Sequence, residues 1–263
     1  MKKITPTTAL VLAACLASTV GVPRVRVPEA GAIYRIDERT QRVVLIGNTE
    51  PAASLEFLQP KPILLTIDDG PANTEVDLKI LAILKEHHAH ALWFITCKTL
   101  DPKLDPAAEE HRQVLKQIVA DGHILGNHGY SHLDLRDLDA RHSPQLEPEI
   151  SECSHLIESI AGVRPKYFRP PFGKTSPRIL ELVRMEGMQS VLWTSDTFDW
   201  VPAYQSYPAM FMNYVRHNPA LDVAAHAEPG GILLMHDHSN TAGTLDELLT
   251  KLERRRFAFV VPG

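Results

Sequence analysis

Two adjacent carboxylates, Asp68 and Asp69, follow the apolar run Ile63-Leu64-Leu65 and precede Gly70-Pro71. Successive side chains of an extended segment point to opposite sides, so both acids can face one site only where the strand breaks into a turn. Gly-Pro supplies that break. Two carboxylates side by side repel unless a cation, a proton or a nearby Arg relieves them, and a metal ion meets that need. Taken alone, the segment equally suits a surface turn in which Asp69 caps a helix starting near Asn73 to Thr74. His128 and His132 stand four residues apart, so on one helical turn their Cβ atoms would be roughly 5–6 Å apart and able to share a metal. With Asp69 they form a three-ligand set that leaves coordination positions open for water and substrate, as in a catalytic zinc site. The expected cofactor is one divalent ion, zinc foremost, with cobalt, manganese or nickel as alternatives. His123, inside Asp121-Gly-His-Ile-Leu-Gly-Asn127, reads instead as a structural imidazole bonded to a neighbouring helix end or loop.

Three further segments occur downstream: Arg169-Pro-Pro-Phe-Gly173, Asp196-Thr-Phe-Asp-Trp200 and Leu233-Leu-Met-His236. With the Asp pair and the His pair they resemble, in order, the five motifs of the polysaccharide deacetylase family, the NodB-type carbohydrate esterases. The resemblance runs from about Pro62 to Val261. It implies Asp68 as general base, Arg169 as the group that orients Asp68 and keeps it ionised, and His236 as general acid. It makes Asp196 the carboxylate that holds the His236 imidazole, with an ion pair to Arg169 as the alternative. The backbone N–H of Phe172 is expected at the oxyanion, Trp200 at a wall of the sugar groove and Leu234 against the acetyl methyl. Asp199 receives no role.

Three positions bear on that pattern. Ile67 stands where the family has Phe, one apolar strand residue for another. Gly129 replaces a Ser or Thr after the first metal His, which bears on metal affinity more than on ligand identity. His238, two residues after His236, could compete as the acid, although Asp237-His238 reads as the start of a loop.

These side chains need a scaffold that brings distant segments to one end. Strands are expected at Ile63–Ile67, Ala91–Thr96, near Ile124, near Tyr167–Phe168, at Gln189–Trp193, Gly231–Met235 and Phe257–Val261. Helices are expected over Glu75–His88, Glu109–Asp121, Leu146–Ile160, Pro177–Glu186 and Thr244–Arg255. Such alternation implies a parallel sheet covered by helices. The resemblance specifies a distorted or incomplete (β/α) barrel of the polysaccharide deacetylase type, with the site at the carboxyl ends of the strands. Residues 62–263 form the expected catalytic domain, and residues 23–61 a small hairpin (Ala32–Ile36 with Arg42–Ile46) and linker.

Residues 1–22 read as a secretion signal, a charged start followed by a short apolar run. Leu12-Ala-Ala-Cys15 also resembles a bacterial lipobox, which would make Cys15 a lipid anchor. Secretion or envelope association follows, with no transmembrane helix in the mature protein. Cys97 and Cys153 are expected as buried free thiols, a disulfide between them being the alternative. A net charge of −5 with interspersed signs provides no basic stripe, so nucleic acid is not an expected partner. The expected protein is a monomer acting on a glycan.

The implied activity is metal-dependent removal of acetyl groups from N-acetylated glycans, peptidoglycan or chitin-like N-acetylglucosamine units. O-acetyl xylan esterase and a non-catalytic glycan-binding protein on the same scaffold are the competing readings. A non-haem iron oxygenase would also use two His and one carboxylate, but it leaves Asp68, Arg169, Asp196 and His236 without work. Substrate choice is expected in the loops Thr99 to His111 and Val201 to Ala227.

Overall fold

The computed structural model describes residues 32–46, 60–200 and 223–263. The expected signal segment, Cys15, most of the linker and residues 201–222 of the second substrate loop lie outside the described residues.

A hairpin comes first, β1 (Ile33–Asp37) antiparallel to β2 (Arg42–Ile46). Strands and helices then alternate: β3 (Lys61–Asp69), α1 (Thr74–Glu86), β4 (Ala91–Ile95), a 3₁₀ turn (Cys97–Leu100), α2 (Ala108–Ala120) and β5 (Ile124–Asn127). Next come α3 (Leu135–Ala140), α4 (Leu146–Ala161), β6 (Tyr167–Phe168), a 3₁₀ turn (Pro171–Gly173), α5 (Pro177–Met185), β7 (Gln189–Ser190) and β8 (Ser195–Asp196). The chain closes with α6 (Val223–His226), β9 (Gly231–His236), α7 (Ser239–Arg254) and β10 (Phe257–Phe259).

The sheet is parallel, in the order β7-β6-β5-β4-β3-β9-β8, with β10 also paired to β3. Its two outermost strands belong to one stretch of chain. Residues 189–191 bond to β6 and Lys166, while Thr194 to Asp196 bond to β9. The sheet therefore curls into a distorted barrel through residues 189–196, where a single strand Gln189–Trp193 was expected.

Alternation along β3 sorts the core. Ile63, Leu65 and Ile67 join Trp93, Ile95, Leu233 and Met235 in the layer beneath α1, α2, α4 and α7. Leu64, Leu92, Phe94 and Ile232 face the barrel interior. Gly126 makes room there for the Phe94 ring, which a Cβ would meet at 2.5 Å. The hairpin is a stopper for this interior, since Tyr34, Ile36 and Val43 pack into the same cluster. Backbone bonds from Val43 to Gly230 and from Gly263 to Tyr34, with Gln41 accepting from Leu192 N–H, fasten it.

Side-chain caps start several of the helices. Asn73 caps α1 by accepting from Val76 N–H, and Ser176 caps α5 with Pro177 at its first position. Helix α7 begins five residues before the expected Thr244, and α3 was not foreseen. Cys97 and Cys153 are fully buried, as expected, but they are bonded to each other and are not free thiols. The end of β4 and the middle of α4 bring their Cα atoms to 5.4 Å, within ordinary disulfide range.

Candidate active site

Asp68 and Asp69 close β3 in the arrangement their spacing demands. Asp68 points into the barrel and is 2% exposed, whereas Asp69 takes a left-handed φ of 76° and turns outward before the cis Gly70-Pro71 bond. His128 follows β5 directly. His132 reaches the same point through a loop, not through the helical turn that four-residue spacing suggested. Gly129 (φ 86°) and His132 (φ 59°) adopt left-handed backbone, which folds the segment back on itself.

Asp69 Oδ1 lies 3.3 Å from His132 Nε2 and 3.6 Å from His128 Nε2. One ligand atom from each of the three residues falls within 4.8 Å of the others. Ligands held at zinc distances in a tetrahedron are about 3.3 Å apart, so the spacing suits one small ion. Asp69 Oδ1 is buried and has no hydrogen-bond partner, which leaves it available as a ligand. His128 Nδ1 bonds the Arg169 carbonyl at 2.7 Å, which fixes the tautomer with Nε2 as the free lone pair. Burial drives the His128 pKa down to about 3, so the ring is neutral as a ligand must be. The donor set fits a divalent ion.

Arg169 is fully buried and directs its donors to Asp68 Oδ1 (2.7 Å), Thr66 Oγ1 (2.8 Å) and the carbonyls of Val191 and Leu192, its guanidinium stacked on Phe94. The fork that the resemblance assigned to Asp68 is thus in contact with it. Asp68 Oδ2 stays free on the metal side, 3.7 Å from His128 Nε2. Burial pushes the Asp68 pKa upward, against Arg169 and His236, which pull it down.

At His236 the structure corrects the sequence reading. Asp199, and not Asp196, holds the imidazole: its Oδ1 meets Nδ1 at 2.7 Å and its Oδ2 accepts the His236 backbone N–H at 2.7 Å. Thr241 Oγ1 donates to the same Oδ2, and Asn240 donates to the Asp199 carbonyl. Asp196 instead accepts from Phe198 N–H (2.7 Å) and Trp200 Nε1 (3.3 Å), and it is absent from the hydrogen-bond partners of Arg169. Phe198, with φ 56°, reverses the chain between the two acids. Burial opposes the charged imidazole, but the Asp199 bond and charge, with Asp68 and Asp69 behind them, raise the His236 pKa to about 9. His238 stacks on His236, with centroids 5.4 Å apart, and burial lowers its pKa.

Phe172 (φ 59°) sits edge-on to His132 at 4.7 Å and is exposed, while Trp200 is exposed beside Asp196 and Phe198. Leu234 is buried in β9. His123 is structural: its Nδ1 accepts from Ala91 N–H at the start of β4, and burial holds its pKa near 4.

The polysaccharide deacetylase family model matches residues 58–191. The chain belongs to that family. It is 29% identical to a peptidoglycan-N-acetylglucosamine deacetylase of Bacillus cereus, over 75% of this chain and 66% of the relative. It is 32% identical to a chitooligosaccharide deacetylase of Azorhizobium caulinodans, over 66% of this chain and 73% of the relative. The chain thus spans about two thirds of the length of such relatives. Among solved structures, the T48 deacetylase with substrate aligns with a TM-score of 0.60 at 29% identity, covering 76% of this chain and 88% of that one. A CE4 family pseudoenzyme from Bacillus anthracis aligns equally well, with a TM-score of 0.60 at 26% identity over 79% of this chain and 69% of that one. Fold and family alone therefore do not guarantee turnover.

Proposed function

We propose that this protein is an exported, metal-dependent hydrolase that removes acetyl groups from N-acetylglucosamine units of peptidoglycan or a chitin-like oligomer. The observation that carries this reading is the unpartnered Asp69 Oδ1 facing two imidazole Nε2 atoms, beside a carboxylate held by a buried Arg. Asp69, His128 and His132 would hold the ion, zinc foremost. When bound, it supplies Lewis acidity toward a water molecule and the acetyl carbonyl.

The remaining steps belong to side chains. Asp68 accepts the proton of the attacking water through its free Oδ2, while Arg169 fixes its other oxygen. His236, its Nδ1 engaged by Asp199, presents Nε2–H to the departing nitrogen. The C–N bond breaks as the amine takes that proton, and acetate is left. Burial opposes the charged form, but the Asp199 bond and charge raise the pKa of this imidazole and favour its protonated form, which an amine leaving group requires and an ester needs less. This favours N-deacetylation over O-acetyl esterase activity. Phe172 and Trp200 supply the apolar faces on which a sugar ring rests.

Export is supported by the charged-then-apolar amino terminus and by the buried disulfide, a bond that persists in oxidising compartments. Among the described residues no helix is long and apolar enough to cross a membrane.

The test is acetate release from N-acetylglucosamine oligomers, peptidoglycan and acetylated xylan, with chelated and metal-reconstituted protein. Metal-restored release from an N-acetylated glycan is expected. Full activity with metal verified absent would reject the metal mechanism, and release from xylan alone would reject the substrate class.

A further inference from the structure

The loop bearing both metal imidazoles is gripped from two sides. From the 3₁₀ turn after β4, Cys97 N–H donates to the Gly129 carbonyl (3.2 Å) and Lys98 N–H to the Tyr130 carbonyl (2.7 Å). From α4, the Glu149 carbonyl accepts Tyr130 N–H (2.9 Å) and its carboxylate accepts Ser131 N–H (2.8 Å). Asn127 reaches into the same helix, donating to the Ile150 carbonyl and Ser154 Oγ, while its own Oδ1 accepts Gly129 N–H. Every residue from Asn127 to Ser131 except His128 is thus bonded to one of these two elements, and His128 itself is held by Ile95 and Arg169.

The two gripping elements are joined covalently by Cys97–Cys153. One half-cystine is the residue whose N–H holds Gly129, and the other lies one helical turn from Glu149. Within this loop, Gly129 has no side chain with which to brace itself and adopts a backbone that glycine alone takes readily.

We propose that the Cys97–Cys153 disulfide is a positioning element of the metal centre, clamping the 3₁₀ turn and α4 together so that the His128–His132 loop is preset in its ligating shape. This rests on the metal reading above. A bond that merely stabilises the fold would raise the unfolding temperature and leave metal affinity in the folded protein unchanged. A positioning bond sets that affinity directly, because without it the loop must be ordered when the ion binds.

The experiment is an equilibrium Zn²⁺ titration of wild type, Cys97→Ala/Cys153→Ala and, as a control for lost stability, Leu249→Ala in the buried face of α7, at a temperature where circular dichroism shows each folded. The double variant is expected to bind zinc about 10-fold or more weakly, the range found when groups behind metal ligands are removed. Hydrogen exchange at Gly129 to Ser131 should quicken in parallel, while Leu249→Ala keeps wild-type affinity. Should the alanine pair not fold, Cys97→Ala/Cys153→Val, which refills part of the buried volume, carries the same comparison. Affinity within threefold of wild type in a folded disulfide-free variant overturns the inference, and so does an equal loss in Leu249→Ala. A wild type that takes up no zinc overturns the metal reading itself, before any variant is compared.

Discussion

The Asp199 carboxylate takes both the Nδ1 and the backbone N–H of His236, each at 2.7 Å. One acid thus fixes the orientation of the ring and the end of β9 that carries it. Burial raises the Asp199 pKa, but the bonds from His236 and Thr241 outweigh that and hold it below the usual carboxylate range. The pair is therefore imidazolium and carboxylate at neutral pH.

Replacing Asp199 with Asn should cost more than about 10-fold in turnover of an N-acetylated glycan, since a general acid contributes about 10²–10⁴-fold and would be left misheld. The sign of the pH effect follows from the raised His236 pKa. In wild type the rate should fall on the alkaline side as the acid is deprotonated, because the Asp199 bond and charge outweigh burial and raise the His236 pKa above that of a free imidazole. In Asp199→Asn that fall should begin at lower pH. Asp196→Asn should leave this limb of the kcat/KM profile in place, and the opposite pattern would return the imidazole to Asp196.

The two adjacent acids should separate by readout. Asp68→Asn is expected to keep zinc and lose most turnover, because an amide cannot accept the water proton. Asp69→Asn should lose zinc affinity itself, as should removal of His128 or His132. Isothermal titration of each variant decides the roles, and retention of zinc by Asp69→Asn with its loss by Asp68→Asn would exchange them.

The barrel was legible because β3, β4 and β9 are buried on both faces and read as largely apolar runs in the sequence. Of the candidate metal ligands, Asp69 ends such a run, while His128 follows the short β5 and His132 lies beyond it in a loop, so the His pair was legible by its spacing rather than by a strand. What escaped was set by backbone reversals and by tertiary contact. Asp196 and Asp199 are indistinguishable by type, and only the left-handed Phe198 between them turns the second acid toward His236. The start of α7 is Ser-Asn-Thr-Ala-Gly, a poor helix sequence, yet Asn240 and Thr241 are buried there because they bond Asp199. Cys97 and Cys153 are 56 residues apart, and nothing local to either announces the other.

On the outer face of the barrel, His87 at the end of α1 bonds Glu253 through Nδ1 (2.9 Å) and Asp246 through Nε2 (3.0 Å), both on α7. Partial burial disfavours its charge, but the bonds to Asp246 and Glu253 prevail and raise its pKa above the ordinary value. A group whose folded pKa is raised adds stability that is complete below its unfolded pKa and is lost as pH rises through the folded one. His236 acts in the same sense, so the informative quantity is a difference between proteins. The fall in melting temperature from about pH 6 to pH 9 should be smaller in His87→Gln than in wild type. An unchanged fall would mean that His87 carries no linked proton.

The acid role of His236 is tested by changing the leaving group. An amine cannot leave the tetrahedral intermediate as an anion, so amide hydrolysis requires a proton on nitrogen, whereas an activated aryl acetate expels a phenolate that needs little help. His236→Ala should therefore lower deacetylation of an N-acetyl sugar far more than hydrolysis of an aryl acetate, by a gap of about 10²–10⁴-fold. Any share of the loss due to oxyanion stabilisation is common to both substrates and cancels in the ratio of their rates. Equal losses would reject the acid role and leave His236 as a positioning or oxyanion group. The stacked His238 provides the internal comparison, because burial keeps it neutral and a neutral imidazole has little to donate. His238→Ala is thus expected to change the two rates by a similar factor, and a selective loss on the amide would transfer the proton to His238.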